Sequence, residues 1–373
     1  MKKTLLGLVF LCFGWLPGIA QKYIQVENKT DENRSELIAI PFAKFSKHFG
    51  VDTIFTIQDR ISQTNYVHQL EKMGNPWVKN VLVQVDVPAK SKITLVVKKE
   101  KSPNYPSKVF ARYVPERFDD FAWENDVVAF RVYGKALEGR RDDAQGMDYW
   151  AKRTSDLIIN KWYTHNDYHR DHGDGLDYYS VGQTLGAGYL AMYFEDSIQY
   201  SKHYRNYQIL DSGPLRTTFK LTYEAQDFSE NTVVMEKIIS LDAGQQFNKI
   251  VVNLHNTHAR KTPVVVGLAR RGESNPAYDF DKTDGYLAYW EPDVQDFGRT
   301  GTAVILPGSK INLITKDPKQ FLVATMVKNG KPLLYYAGAA WNKAEKITSA
   351  EDWEDHVEDY TEAIKNPLKV KLR

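Results

Sequence analysis

The 373-residue chain has one cysteine, Cys12, and it lies in an apolar N-terminal segment. Everything after that segment is thiol-free, which excludes disulfides, thiolate metal ligands and cysteine nucleophiles. Past residue 20 no apolar run approaches the roughly 20 residues that a bilayer-spanning helix needs, so membrane insertion is not expected. Neither sign of charge prevails: without Lys2 and Lys3 the chain has 47 basic residues against 47 acidic ones. That balance gives no global case for nucleic acid or a membrane surface, and any anionic ligand must be met locally. There is no internal repeat, low-complexity tract or Gly/Ser-rich linker. Also absent are a Gly-x-Ser-x-Gly elbow, a phosphate loop and a dinucleotide fingerprint.

The start of the chain has a recognisable layout. Met1-Lys2-Lys3 precedes an apolar stretch from Thr4 to Pro17, and Gly18-Ile19-Ala20 stands before Gln21. This predicts a secretory signal peptide over residues 1–20, cleaved after Ala20, and export to the periplasm or the medium. Leu11 before Cys12 does not fit a lipoprotein signal, which wants a small residue there.

About 350 residues remain, and with no linker to cut they read as one large domain over 21–373. Runs rich in Val, Ile, Tyr and Phe predict strands at 81–87, 93–98, 127–133, 217–223, 233–239, 249–254, 264–268 and 301–306. Asn329-Gly330, between the apolar runs 321–327 and 333–336, predicts a β-hairpin. One helix is strongly marked: Ser349 as N-cap, Asp352 at capping-box spacing, then Trp353, Val357, Tyr360 and Ile364 on one face, ending before Pro367. A weaker helical pattern covers 148–160. The class expected is mainly β, a large antiparallel sandwich with a short C-terminal helix.

The densest polar cluster is Thr164 to Tyr179, with His165, His169 and His172 among Asp167, Asp171, Asp174 and Asp177. Histidine beside carboxylates is the raw material of proton transfer and of metal binding. Known metal patterns fit poorly. Asn166 stands where a zincin helix would place its Glu, and the Asp spacing of three is not that of an EF-hand. A second cluster, Arg117 to Asp126, leads into the strand that carries Arg131. A third stretch, with Arg140, Arg141, Trp150, Lys161 and Trp162, mixes cations with large aromatics. Such a mixture suits an anionic sugar, with guanidinium groups on its acid and rings on its pyranose faces. His255, His258, Arg270, Arg271 and Glu273 are second-rank candidates.

Several of these blocks match a known family. Asp119-Asp120-Phe121-Ala122-Trp123-Glu124-Asn125-Asp126, Ala129 to Gly134, Gly146 to Trp150 and Tyr168 to Asp177 resemble the blocks of domain-of-unknown-function family 4861. The likeness continues through Gly213 to Arg216 and Ala337 to Trp341. The resemblance implies a galactose-mutarotase-like supersandwich, encoded beside polysaccharide-degrading enzymes. It also implies an oligosaccharide dehydratase that removes water from a non-reducing-end uronic acid of ulvan type, leaving a 4,5-unsaturated end. Such chemistry needs a neutralised carboxylate, a base near C5 and an acid at O4. The expected catalytic residues are His169 and His172 with Tyr168 or Tyr178. The expected substrate contacts are Arg131, Arg140, Arg170, Trp123, Glu124, Asn125 and Trp150. No cofactor is required by these residues, although a divalent metal ion is an alternative partner for the carboxylate. A polysaccharide lyase, a sugar epimerase or mutarotase, and a non-catalytic carbohydrate-binding protein are the competing readings.

Overall fold

A computed structural model of the chain describes residues 21–373. The expected signal peptide lies outside the described residues. No helix among them is long and apolar enough to cross a membrane.

The two largest clusters of buried apolar side chains among the described residues lie in different groups of sheets, and smaller clusters flank them. The smaller group is a two-sheet sandwich near the N-terminus. One sheet runs in the order Lys369–Leu372, Tyr23–Glu27, Lys92–Lys98, Thr56–Asp59. The other runs Arg34–Pro41, Asn80–Val87, His68–Glu71. Tyr23–Glu27 alternates half-buried and buried residues, so Ile24 and Val26 reach the core with Val81, Val83 and Leu95. Helix α1, Phe42–Phe49, adds Phe45 and closes on Gly50 in the left-handed region. The last strand pairs with the first, which brings the two ends of the described chain together.

The larger unit has three antiparallel sheets. One consists of Val109–Val114, Asp120–Asn125, Ala129–Val132, Met147–Lys152 and the short Gly175–Leu176. A second centres on Ala187–Phe194, Lys261–Ala269 and Gln320–Lys328. The broadest runs from Asn206–Ser212 through Asn231–Asp242, Phe247–Asn256 and Leu333–Trp341 to Ala277–Asp281. They share one apolar core, to which Asn231–Asp242 contributes every second residue, Val233, Met235, Ile239 and Leu241 among them. Each such buried aliphatic side chain stabilises the fold by about 1.5–3 kcal/mol. The architecture is the expected mainly antiparallel β-sandwich with a C-terminal helix.

That helix, α3 (Ala350–Lys365), has the expected capping box between Ser349 and Asp352. It buries Trp353 and Val357 against the broad sheet, where the Trp353 indole donates to the Thr302 carbonyl at 3.2 Å. All eight expected strand runs exist, with shifted ends. The run at 127–133 shortens to Ala129–Val132 because the Asn125 side chain accepts from Val127 N and Val128 N, both at 2.8 Å, and forms a turn there.

Two expectations are corrected. Residues 148–160 are not one helix: Met147–Lys152 pairs with Ala129–Val132, and only Ile159–His165 (α2) is helical. Pairing with a neighbouring strand overrides local propensity in this stretch. Asn329-Gly330 does form a tight turn, with Lys331 N donating to Lys328 O at 3.0 Å. The strands it joins do not pair, however. Gln320–Lys328 bonds to Lys261–Ala269, whereas Leu333–Trp341 bonds to Phe247–Asn256 and Thr300–Ile305. The turn is an arch between sheets, anchored by the Asn329 side chain on the carbonyls of Asn256 (2.8 Å) and Ala259 (3.0 Å).

Candidate functional site

Strand alternation divides the five-stranded sheet into two faces. Phe121, Trp123, Phe130, Met147 and Tyr149 face the main core. Ala122, Ala129 and Trp150 belong to a separate cluster on the opposite face, with Trp162 of α2 and Tyr168. The segment 166–178 crosses this second face as a strap. Gly175 permits the crossing: at φ +115° it packs so closely that a Cβ would stand 2.0 Å from the Ala151 carbonyl oxygen. The strap is pinned where Asp177 N donates to Tyr168 O at 2.8 Å, and where Arg153 pairs with Asp171 at 2.7 Å.

Beneath the strap sits Arg131, buried, with three carboxyl groups around it. Its Nε meets Asp148 at 2.7 Å, its Nη2 meets Asp177 at 3.1 Å and its Nη1 lies 3.6 Å from Asp120. The guanidinium also lies 5.3 Å from the ring centroids of Tyr133 and Trp150. Burial opposes its charge, but Asp148 and Asp177 outweigh that effect and hold it well above the usual arginine range. One cation cannot neutralise three carboxylates. Burial pushes Asp120 up to about 7 against the pull of Arg131 and Arg117. Burial, together with the charge of Asp148, pushes Asp177 far up. The cluster therefore retains protons at neutral pH.

Arg131, Trp150, Tyr168 and His169 are thus brought together. Trp150 and Tyr168 stack at 5.2 Å, and the His169 ring lies 4.6 Å from Tyr168. Nδ1 of His169 is 2.8 Å from the carbonyl oxygen of Asp177. A carbonyl only accepts, so Nδ1 carries the hydrogen, and in the neutral imidazole the lone pair is on Nε2. The side chain is 63% exposed, which leaves that lone pair open to a ligand. His172 is also exposed, and its Nε2 meets Asp167 at 3.0 Å. A cleft of about 290 Å³ beside the strap is lined by Tyr168, Arg170 and His172, with Trp162, His165 and Lys161. Among the described residues no three His, Asp or Glu side chains gather as a metal-holding group.

Other expected contacts are used inside the fold. Trp123 is fully buried on the core face and donates to Asn248 at 2.7 Å. Glu124 is fully buried too. It binds Lys152 at 3.0 Å and accepts Ile158 N and Ile159 N, both at 2.8 Å, at the start of α2. Asn125 donates to the carbonyls of Asp242 (2.6 Å) and Gln245 (2.7 Å) as well as closing its turn. All three are buried, with their polar atoms engaged by the protein itself. Trp150 is likewise buried, as the floor under Arg131. Tyr178 points away from the cluster, its hydroxyl 2.6 Å from Thr300 Oγ1. Arg140 is exposed, pairs with Asp142 at 2.9 Å and lies 4.1 Å over Phe118.

Sequence reasoning gave Arg117, Asp120, Asp148 and Asp177 no place among the expected catalytic and substrate-binding residues. The guanidinium of Arg117 lies over Phe118 (5.9 Å) and Tyr168 (5.8 Å) and makes no ion pair among the described residues. The available signal was alternation, which sets Asp120 and Asp148 on the same face as Arg131. The second-rank candidates lie elsewhere. His255 borders a separate groove of about 410 Å³, and Arg271 is held by buried Glu291 through contacts of 2.9 and 2.8 Å.

Comparisons with known proteins place this architecture. A protein from Formosa agariphila described as uncharacterized protein P7 is 31% identical over 378 residues, covering 94% of this chain and 93% of that one. A glycosyl hydrolase family 38 protein from Enterococcus faecalis superposes with a TM-score of 0.52 at 7% identity, over 94% of this chain and 47% of its own. An α-mannosidase from Enterococcus faecalis V583 covers 94% and 46%, at 6% identity and a TM-score of 0.42. The chain spans about half the length of these two structures, and the first likeness shows the sandwich fold. The profile of the domain of unknown function DUF4861 matches residues 26–370, and the chain belongs to that family.

Proposed function

We propose that this protein is an oligosaccharide dehydratase that eliminates water from a non-reducing-end uronic acid, as in ulvan-type oligosaccharides. The observation that carries the reading is His169. The hydrogen bond between its Nδ1 and the Asp177 carbonyl leaves Nε2 as the free nitrogen of an exposed ring, and Arg117, which makes no ion pair among the described residues, lies 5.8 Å from the centroid of the neighbouring Tyr168 ring. In the reaction, the base takes the proton on C5. The electron pair left behind forms the C4=C5 double bond, and the C4–O4 bond breaks. The departing oxygen receives a proton and leaves as water. His169 acts as the base. The Tyr168 hydroxyl and His172, on the same strap, are the candidate donors to O4. Arg117 and Arg170 face the carboxylate, whose charge must be offset before an adjacent carbon gives up its proton.

The acidic floor supports the same reading. Arg131 and its three aspartates fix Tyr168 and the 177 backbone, so the His169 ring is oriented by buried groups rather than by a mobile loop. The test uses the protein lacking residues 1–20 and short uronic-acid-terminated ulvan oligosaccharides, with and without chelator. Absorbance of the enol-ether product and product mass are followed together. Loss of one water without shortening of the chain is the expected result, and it is abolished in His169→Ala/His172→Ala. Shortening of the oligosaccharide would make the protein a lyase. No change in absorbance would remove the dehydratase reading.

A further inference from the structure

We propose that Phe297 and Tyr178 form a second sugar subsite, a stacking platform for a pyranose ring further along the oligosaccharide than the uronic-acid end. This rests on the reading above that the ligand is an oligosaccharide.

The platform is built from groups that the reaction does not use. Tyr178 has its hydroxyl engaged with Thr300 at 2.6 Å, and burial raises the pKa of the phenol, so its ring serves as the backing of the platform and Phe297 as its exposed face. Phe297 stacks on that ring, with centroids 5.5 Å apart and planes at 29°. Phe297 is 39% exposed, and no other phenylalanine among the described residues is as exposed. Leaving an apolar ring in water forgoes stabilisation that folding would otherwise gain.

The exposure is nevertheless held firmly. The Trp341 indole donates to the Phe297 carbonyl at 2.7 Å, Val294 N donates to Gly298 O at 2.9 Å, and Arg299 N donates to the Asn342 side chain at 2.8 Å. A rigid apolar ring held in solvent matches the C–H face of a pyranose, and aromatic contacts of this kind are made at low entropic cost.

Continuity with the strap gives the occupant its direction. Tyr178 directly follows Asp177, whose carbonyl orients His169. Arg153 bridges the two regions: it pairs with Asp171 of the strap at 2.7 Å and lies 5.5 Å over Trp341, whose ring is 6.2 Å from that of Tyr178. With a third of its side chain exposed, Arg153 is placed to bind hydroxyl or anionic substituents of the same sugar.

The test is a length comparison by calorimetry in the His169→Ala protein, which removes turnover. Dissociation constants are measured for a uronic-acid-ended ulvan disaccharide and the corresponding tetrasaccharide, with and without Phe297→Ala. The affinity ratio of tetrasaccharide to disaccharide is expected to fall about tenfold in Phe297→Ala and to recover in Phe297→Trp. An unchanged ratio, or an equal loss at both lengths, overturns the subsite. Because binding is read without turnover, a length-dependent loss supports the platform even if no water is eliminated. An unchanged ratio removes the platform even where dehydration is seen. Absence of tetrasaccharide binding to His169→Ala overturns both.

Discussion

Arg131 and Asp148 are register partners on neighbouring strands, and their side chains meet at 2.7 Å on the face away from the main core. Asp177, from the strap, closes on the same guanidinium at 3.1 Å, so this cation holds the strap onto the sheet. Removing one member of a buried ion pair leaves the others without compensation, at about 3–5 kcal/mol. Arg131→Met is therefore expected to lose stability of that order at pH 8, read from urea unfolding. The loss should shrink at pH 4, where protonation removes the repulsion among Asp120, Asp148 and Asp177.

Asp120 gives the cluster a defined pH signature. Its folded pKa is pushed up to about 7 by burial, against an ordinary value of 3.8. Between those values the folded state binds more protons than the unfolded state, so stability falls as pH rises. Below pH 4 both states are protonated, and above pH 7 both are ionised. Asp120→Asn should flatten this slope. Its stability relative to the parent protein should rise steadily from pH 4 to 7 and then level off, as followed by urea midpoints.

The fold was more legible than the site, for a physical reason. Strands and α3 are written in local pattern: Ser349 and Asp352 sit three apart, and Val233, Met235, Ile239 and Leu241 keep a single face. What pairs with what is not local. Asn329-Gly330 specifies a turn, but nothing nearby states that the following strand joins a different sheet. The candidate site divides in the same way. The histidine strap stood out by composition, and Tyr168, His169 and Arg131 do converge. Trp123, Glu124 and Asn125 shared a block with Asp120, yet alternation sends Trp123 to the core, and Glu124 is drawn to the start of α2.

Lys237 is the counterpart of Asp120 in the main core. It is fully buried, lies 3.1 Å from the centroid of the Tyr189 ring and donates to Leu190 O at 3.3 Å. Burial lowers its pKa well below 10.5. As pH falls below 10.5 the unfolded state takes up a proton that the folded state refuses, so this residue destabilises the fold increasingly toward neutrality. Lys237→Met should raise the urea midpoint at pH 7, and the gain should diminish as pH approaches 10.5. A gain independent of pH would mean that the amine stays charged in the fold.

The two strap histidines differ in a way that kinetics can separate. His169 is oriented by a backbone carbonyl on a strap held by Arg131, whereas His172 meets Asp167 with both side chains more than half exposed. A solvent-exposed side-chain contact of that kind holds its ring only weakly. If His169 takes the proton from C5, the reaction cannot proceed without it. If His172 donates to the departing oxygen, water or Tyr168 can replace it in part. His169→Ala is therefore expected to lower kcat by at least about a thousandfold, within the range of general acid–base catalysis. His172→Ala should cost about ten- to a hundredfold. Asp177→Ala keeps the backbone carbonyl that orients His169 but removes the side chain that meets Arg131, so it should lower the melting temperature as well as kcat. Initial rates of enol-ether formation on one oligosaccharide, measured beside thermal melts, distinguish these outcomes. Equal losses for the two histidines would return the base assignment to both, and a larger loss in His172→Ala would transfer it to His172.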